Sequence, residues 1–95
     1  MTRTIPQVRV EIPRELRELC GGQTEFCVAA GSVRGVLAEI ARLHPRVHVS
    51  ICDERGEPRP HINVFVNEEF VPRSELDLAL SSGDRVTILP AVSGG

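Results

Sequence analysis

The stretch SVRGVLAEIARLHP carries the one strong helical signal in the chain, and it constrains everything around it. Val33, Val36, Leu37 and Ile40, with Leu43 continuing the stripe, recur at i, i+3, i+4 and i+7 and so share one face. Ser32 is placed to cap the first turn, and Pro45 ends the helix just after His44. A lone amphipathic helix must bury its stripe against something else, and the remaining apolar segments alternate as strands do, so the partner is a sheet. At 95 residues the chain is one domain. A chain of this size buries roughly 60–65% of the surface it exposes when unfolded, enough for one core but not for a sizeable internal cavity.

VRVEI alternates Val8, Val10 and Ile12 with Arg9 and Glu11, and Pro13 closes the run. PRELRELCGGQ is too short and broken to count as a helix. Its Gly21-Gly22 pair turns the chain into TEFCVAA, a second strand, giving a hairpin with a long connection. ICDERGEPRPH, with its charges, glycine and prolines, reads as a surface loop. HINVFVNEEFV follows as a strand, with Ile62, Val64 and Val66 on one face and Asn63, Phe65 and Asn67 on the other. Asn67-Glu68 turns into a short strand at Glu69–Val71. SELDLALSSGD is a helical turn or loop, and Gly83-Asp84 launches RVTILP. There Val86 and Ile88 point one way, Thr87 and Leu89 the other, and Pro90 ends the ladder because it has no N–H. The expected architecture is α+β, a mixed sheet of four to five strands with one main helix at about 32–44 across one face. If the first and last strands pair in the middle, this is the ubiquitin-like β-grasp. Residues 1–90 then form the domain and 91–95 a flexible C-terminal tail.

Charge and cysteine usage narrow the function. A formal charge of -2 and only three phenylalanines among the aromatics leave neither a field for phosphates nor platforms for bases, which argues against nucleic acid. MTRTIPQVRVEIP lacks an apolar leader core, and no run approaches the roughly 20 apolar residues of a membrane span. The reading is a cytoplasmic protein that does not engage membranes. Cys20, Cys27 and Cys52 form no C-x-x-C and read as buried thiols. His44, His48 and His61 read as scattered surface imidazoles with no metal-ligand spacing. No base accompanies any cysteine in sequence, so catalysis by the chain itself is not expected. Glu68, Glu69, Asp53, Glu54 and Glu57 read as solvated surface. All eleven basic residues are arginine, and there is no lysine.

Phe65 and Leu89 break the alternation. Both fall on the face away from the helix, and with Phe70 they make a candidate docking patch, weighed against the ordinary exposure of single apolar side chains. The tail is more specific. From Pro90, AVSGG reaches at most about 16–18 Å. Gly94 and Gly95 present no side chain, so the terminal carboxyl can enter a narrow channel. With a pKa of roughly 3.3–3.7, that carboxyl is ionised at neutral pH and is a nucleophile toward an activated phosphate.

The segment HINVFVNEEFV…LDLALSSGDRVTILPAVSGG closely resembles the MoaD/ThiS family of sulfur-carrier proteins, and within it the CysO-type carriers. V-F-V-N, G-D-x-V-x-I-L-P and A-V-S-G-G carry the likeness. The N-terminal two-thirds agrees in element order. The resemblance implies a β-grasp carrier that binds no cofactor of its own. An E1-like adenylating enzyme spends ATP to adenylate Gly95, sulfide or a persulfide displaces AMP, and the resulting thiocarboxylate passes sulfur to a synthase. Gly94 gives access to Gly95, while Leu89, Pro90, Ala91, Val92 and Ser93 thread the partners. The acceptors associated with such carriers are cysteine, molybdopterin, thiamin thiazole and thiosugar or other secondary metabolites, and ILPAVSGG leans toward the cysteine type. A free monomer is expected. The rival readings are a protein modifier joined through Gly95 to lysines of other proteins and an interaction domain with an inert tail. The lysine-free sequence excludes chains linked through its own lysines.

Overall fold

Alternating valines do in the structure what their spacing demands. The computed structural model describes residues 4–91, and in it Gln7–Glu11 forms β1, with Val8 and Val10 buried and Gln7 and Arg9 exposed. A seven-residue 3₁₀ helix, Arg14–Cys20, fills the connection that reads as irregular in sequence. It stops at Gly21, whose φ of 63° is a left-handed conformation that glycine adopts without a Cβ clash. Glu25–Ala29 forms β2, antiparallel to β1. Val33–Leu43 forms α1, and the Ser32 side-chain oxygen accepts a hydrogen bond from the Gly35 N–H at 3.0 Å, as its capping position predicts.

The chain then departs from expectation. Pro45 ends α1 but also begins a second helix, α2, at Pro45–Ile51. A proline at the first helical position loses nothing, because its missing N–H would have had no partner there, and His44 (φ -136°, ψ 68°) makes the break between the helices. Val47 and Ile51, one turn apart, bury against the core, so Ile51 and Cys52 close a helix and the loop proper starts at Asp53. Leu43 does not continue the stripe. It is 43% exposed, while Val33, Val36, Leu37 and Ile40 are buried as read.

Ile62–Val66 forms β3, Glu69–Val71 the short β4 and Arg85–Pro90 β5, with a 3₁₀ turn at Arg73–Glu75 between the last two. The sheet order is β2-β1-β5-β3-β4. β1 and β5 lie parallel at its centre, and every other pairing is antiparallel. The first and last strands are therefore side by side under the helices, the β-grasp arrangement that element order suggests. Val8, Val10, Val86 and Ile88 on these two strands are at most 1% exposed and pack with Val33, Val36 and Ile40 in one core. Each such side chain contributes on the order of 1.5–3 kcal/mol through removal from water.

The turn after β3 places both Asn67 and Glu68 at positive φ, 49° and 74°, the hairpin geometry that asparagine tolerates best. Asn67 is also clamped to the start of β5. Its Nδ2 donates to Asp84 Oδ1 at 2.9 Å, and its Oδ1 accepts from the Arg85 N–H at 3.0 Å. The other Asp84 oxygen accepts the Ser81 N–H at 2.8 Å. The Ser81 and Asn67 donors together hold the Asp84 carboxyl below its ordinary pKa.

Two expectations follow. Ile40→Ala, at a fully buried position, is expected to cost about 2–5 kcal/mol in denaturant unfolding, and a loss well under 1 kcal/mol would show that α1 does not seat as described. Because the folded pKa of Asp84 is depressed, its contribution is present above the unfolded value near 3.8 and lost as pH falls through the lower folded value. Asp84→Asn should therefore be less stable than wild type at pH 7, with the gap narrowing in thermal melts as pH falls below the unfolded value.

Candidate functional site

Pleating sends every second residue of the sheet away from the helices, and strand order decides which of these outward residues become neighbours. Glu11, Thr87, Phe65 and Phe70 form one row across four strands, since Glu11 pairs with Thr87, Thr87 with Phe65 and Phe65 with Phe70. Leu89 sits opposite Asn63, one diagonal step from Phe65. Phe65 and Phe70 meet edge to face, with ring centroids 5.9 Å apart. The three predicted patch residues thus gather at one corner. Phe70 is 56% and Leu89 43% exposed, with Phe65 half-buried between its neighbours.

The other half of this face is ionic, which the sequence reading misses. β1 and β5 set Arg9 opposite Arg85, and β1 and β2 set Glu11 opposite Glu25, two like-charge pairs that would each destabilise the sheet alone. They are relieved crosswise. Arg9 reaches Glu25 at 3.5 Å and Arg85 reaches Glu11 at 3.2 Å. All four groups are substantially solvent-exposed, so the pairs contribute little stability and chiefly keep this half of the face polar. Alternation in VRVEI and TEFCVAA places these charges outward, but only strand pairing reveals who faces whom.

Beside them lies Cys27, opposite Arg9 and exposed, contrary to the expectation of three buried thiols. The reason is parity: Val28 takes the inward position on β2, which turns Cys27 out. Cys20 and Cys52 are buried as expected, and burial raises both thiol pKa values, that of Cys52 to about 11 with Asp53 adding to the shift. The histidines also differ from a uniform surface scatter. His44 is half-buried against Phe26, ring centroids 4.7 Å apart, and His48 is half-buried on α2, while His61 is exposed. Among the described residues, no group of three His, Cys, Asp or Glu is arranged to hold a metal, and no helix is long and apolar enough to cross a membrane.

At the root of the tail, Pro90 does not end the ladder. It lies opposite Ile62, and Ala91 beyond it still donates its N–H to the His61 carbonyl. In an antiparallel pair the bonded positions alternate, and position 90 falls at a site where no N–H toward β3 is needed, while β1 has already ended on its other side. Leu89, Pro90 and Ala91 are therefore held by the sheet, and covalent geometry limits the four residues beyond to about 13–14 Å. Val92, Ser93, Gly94 and Gly95 lie outside the described residues. Pro13, Leu16, Ile62 and Pro90 line a shallow apolar hollow where the tail leaves, with His61 and Glu15 at its edge.

Residues 10–95 match the ThiS family. The chain belongs to that family. It is 34% identical over 91 residues to the sulfur carrier protein CysO of Mycobacterium tuberculosis, covering 93% of this chain and 98% of that one. The crystal structure of that CysO superposes with a TM-score of 0.79 over 90% of this chain and 99% of that one, at 33% identity. The crystal structure of the Amycolatopsis orientalis BexX/CysO complex matches with a TM-score of 0.79 at 33% identity, over 93% of this chain and 99% of the matched one. Small archaeal modifier protein 1 of Haloferax volcanii is 31% identical over 83 residues, 85% of this chain and 92% of that one. These relatives are named as carriers and modifiers rather than catalysts, in accord with the reading that the chain is not itself an enzyme.

The thiol assignment has a direct check. Brief iodoacetamide treatment of the native protein at about pH 8 should add one label, at Cys27, with Cys20 and Cys52 reacting only after unfolding. Labelling of Cys52 at a comparable rate would contradict its place in the core.

Proposed function

We propose that the chain is a sulfur carrier whose Gly95 carboxylate becomes a thiocarboxylate. The observation that carries the reading is a family match over residues 10–95, combined with a central strand, β5, that reaches Pro90, five residues before Gly95. The likeness to proteins named sulfur carrier CysO supports the same class for this chain. The chain binds no cofactor of its own. An E1-like enzyme supplies ATP, whose α-phosphorus is attacked by the Gly95 carboxylate with loss of pyrophosphate. Hydrosulfide then adds to the acyl carbon, AMP leaves, and C–S replaces one C–O bond. With a persulfide donor, a second thiol must cleave the acyl disulfide that forms. A synthase takes the sulfur and, with water, returns the carboxylate. Gly94 and Gly95 keep the approach clear, Leu89 to Ser93 thread the enzymes, and Phe65, Phe70 and Leu89 dock them. A chain that serves enzymes in turn suits a free cytoplasmic monomer with modest, transient interfaces. Cysteine synthesis is the favoured destination, ahead of thiosugar or other secondary metabolites, molybdopterin and thiamin.

A second reading has its own support. The likeness to an archaeal modifier protein favours conjugation through Gly95 to lysines of other proteins. An inert-tail interaction domain is the third.

Incubating the 95-residue chain with ATP, sulfide and a cognate activating enzyme should exchange one oxygen for sulfur, seen by intact-mass spectrometry. Deleting Gly95 should abolish the product without unfolding the domain. Replacing all three cysteines should spare it, and Leu89→Asp should slow it while leaving the melting temperature within a few degrees. Cellular function that survives deletion of Gly95 would support the inert-tail reading. Isopeptide adducts without thiocarboxylate would support the modifier.

A further inference from the structure

At the β4 edge of the sheet, away from the tail, an open groove of about 270 Å³ runs between β4 and the segment that follows it. Val66 and Val71 form its deeper apolar walls, and Phe70 and Leu78, 56% and 44% exposed, its outer ones. The charged residues lining it are both acidic, Glu69 and Glu75, and neither is in an ion pair among the described residues. The far wall is fixed in place. The Leu78 N–H donates to the Glu75 carbonyl at 3.0 Å, the Leu78 carbonyl accepts the Val33 N–H at 3.3 Å, and the Leu76 carbonyl accepts the Arg34 N–H at 2.8 Å, tying the segment to the first turn of α1. Arg34 holds Asp77 at 3.0 Å on the same turn, and Glu69 and Glu75 are the charges that line the groove itself.

We propose that this groove is a second docking site, built for a protein segment that carries an aliphatic side chain flanked by arginine or lysine. The apolar walls accept the aliphatic anchor, and the two unpaired carboxylates select cationic neighbours and repel acidic ones. The placement leaves the tail free. Val66 lies opposite Val86 and Ile62 opposite Pro90, so the groove and the tail root are separated by four residues of β5, about 13 Å. A partner held here does not cover the terminus, but it shares Phe70 with the Phe65–Phe70–Leu89 patch, so it adjoins a protein docked there. The site stands on its own chemistry and does not require the carrier reading.

The test uses the whole chain and a capped Arg-Arg-Leu-Leu-Arg pentapeptide, with its glutamate-for-arginine counterpart as control. In amide-resolved NMR titrations the basic peptide should shift Val66, Glu69 to Val71 and Glu75 to Leu78, weaken as salt is raised, and leave Leu89 and Ala91 unmoved. The double variant Glu69→Arg, Glu75→Arg should bind at least roughly tenfold more weakly, and Leu78→Ser should weaken binding without altering its salt dependence. All three positions are exposed, and unchanged far-UV circular dichroism would separate lost binding from lost fold. Equal response to the acidic peptide, shifts centred on Phe65 and Leu89, or no shifts at millimolar basic peptide would each overturn the proposal.

Discussion

The parallel contact between β1 and β5 joins the two ends of the chain at the centre of the sheet, and every other feature is arranged around it. Val10 and Val86 sit side by side there at 0% exposure, beneath a helix whose Val36 and Ile40 are equally dry. Parallel neighbours cannot be joined by a tight turn, so the whole chain between them must serve as the crossover. The helices cover one face as a consequence, and the other face is left open. The closing contact lies between residues about seventy-five positions apart in sequence, a long loop closure of the kind that slows folding.

That contact also aims the tail. β5 has neighbours on both sides along its first half and runs on past the end of β1, so Pro90 and Ala91 leave the sheet supported by β3 alone. Support by a single strand near the exit means that little structure has to be undone to free Pro90 and Ala91. On the open face, apolar side chains collect on the β3–β4 side and ion pairs on the β1–β2 side. The acidic groove at the β4 edge adjoins this patch through Phe70.

Much of this was legible in the residues. The apolar stripe of α1, its Ser32 cap, the five strands, the Asn67-Glu68 turn and the outward phase of Phe65 and Leu89 all follow from spacing within a few residues. The losses also have physical causes. α2 escapes a reading of Pro45 as only a stop, because proline equally well starts a helix, and the Val47 and Ile51 pair one turn apart is its signal in the sequence. Cysteine's usual burial points Cys27 inward, but the parity of β2 around Val28 sets it outward. Pro90 does not end the ladder, because whether a missing N–H matters depends on which side the neighbouring strand lies, and that is not written in the local sequence.

By itself, the sequence determined the α+β class, the place of each strand and helix to within a few residues, and a tail whose small residues and terminal glycines carry the family likeness. Such properties are local, written in period, capping and side-chain size over spans shorter than one element. Tertiary structure alone decided that Phe65, Phe70 and Leu89 share a corner, that Arg9 and Glu11 are balanced crosswise by Glu25 and Arg85, and that Glu69 and Glu75 face one groove. Those are relations between strands far apart in the chain. They are fixed by which edges pair and in what register, and no local pattern encodes them.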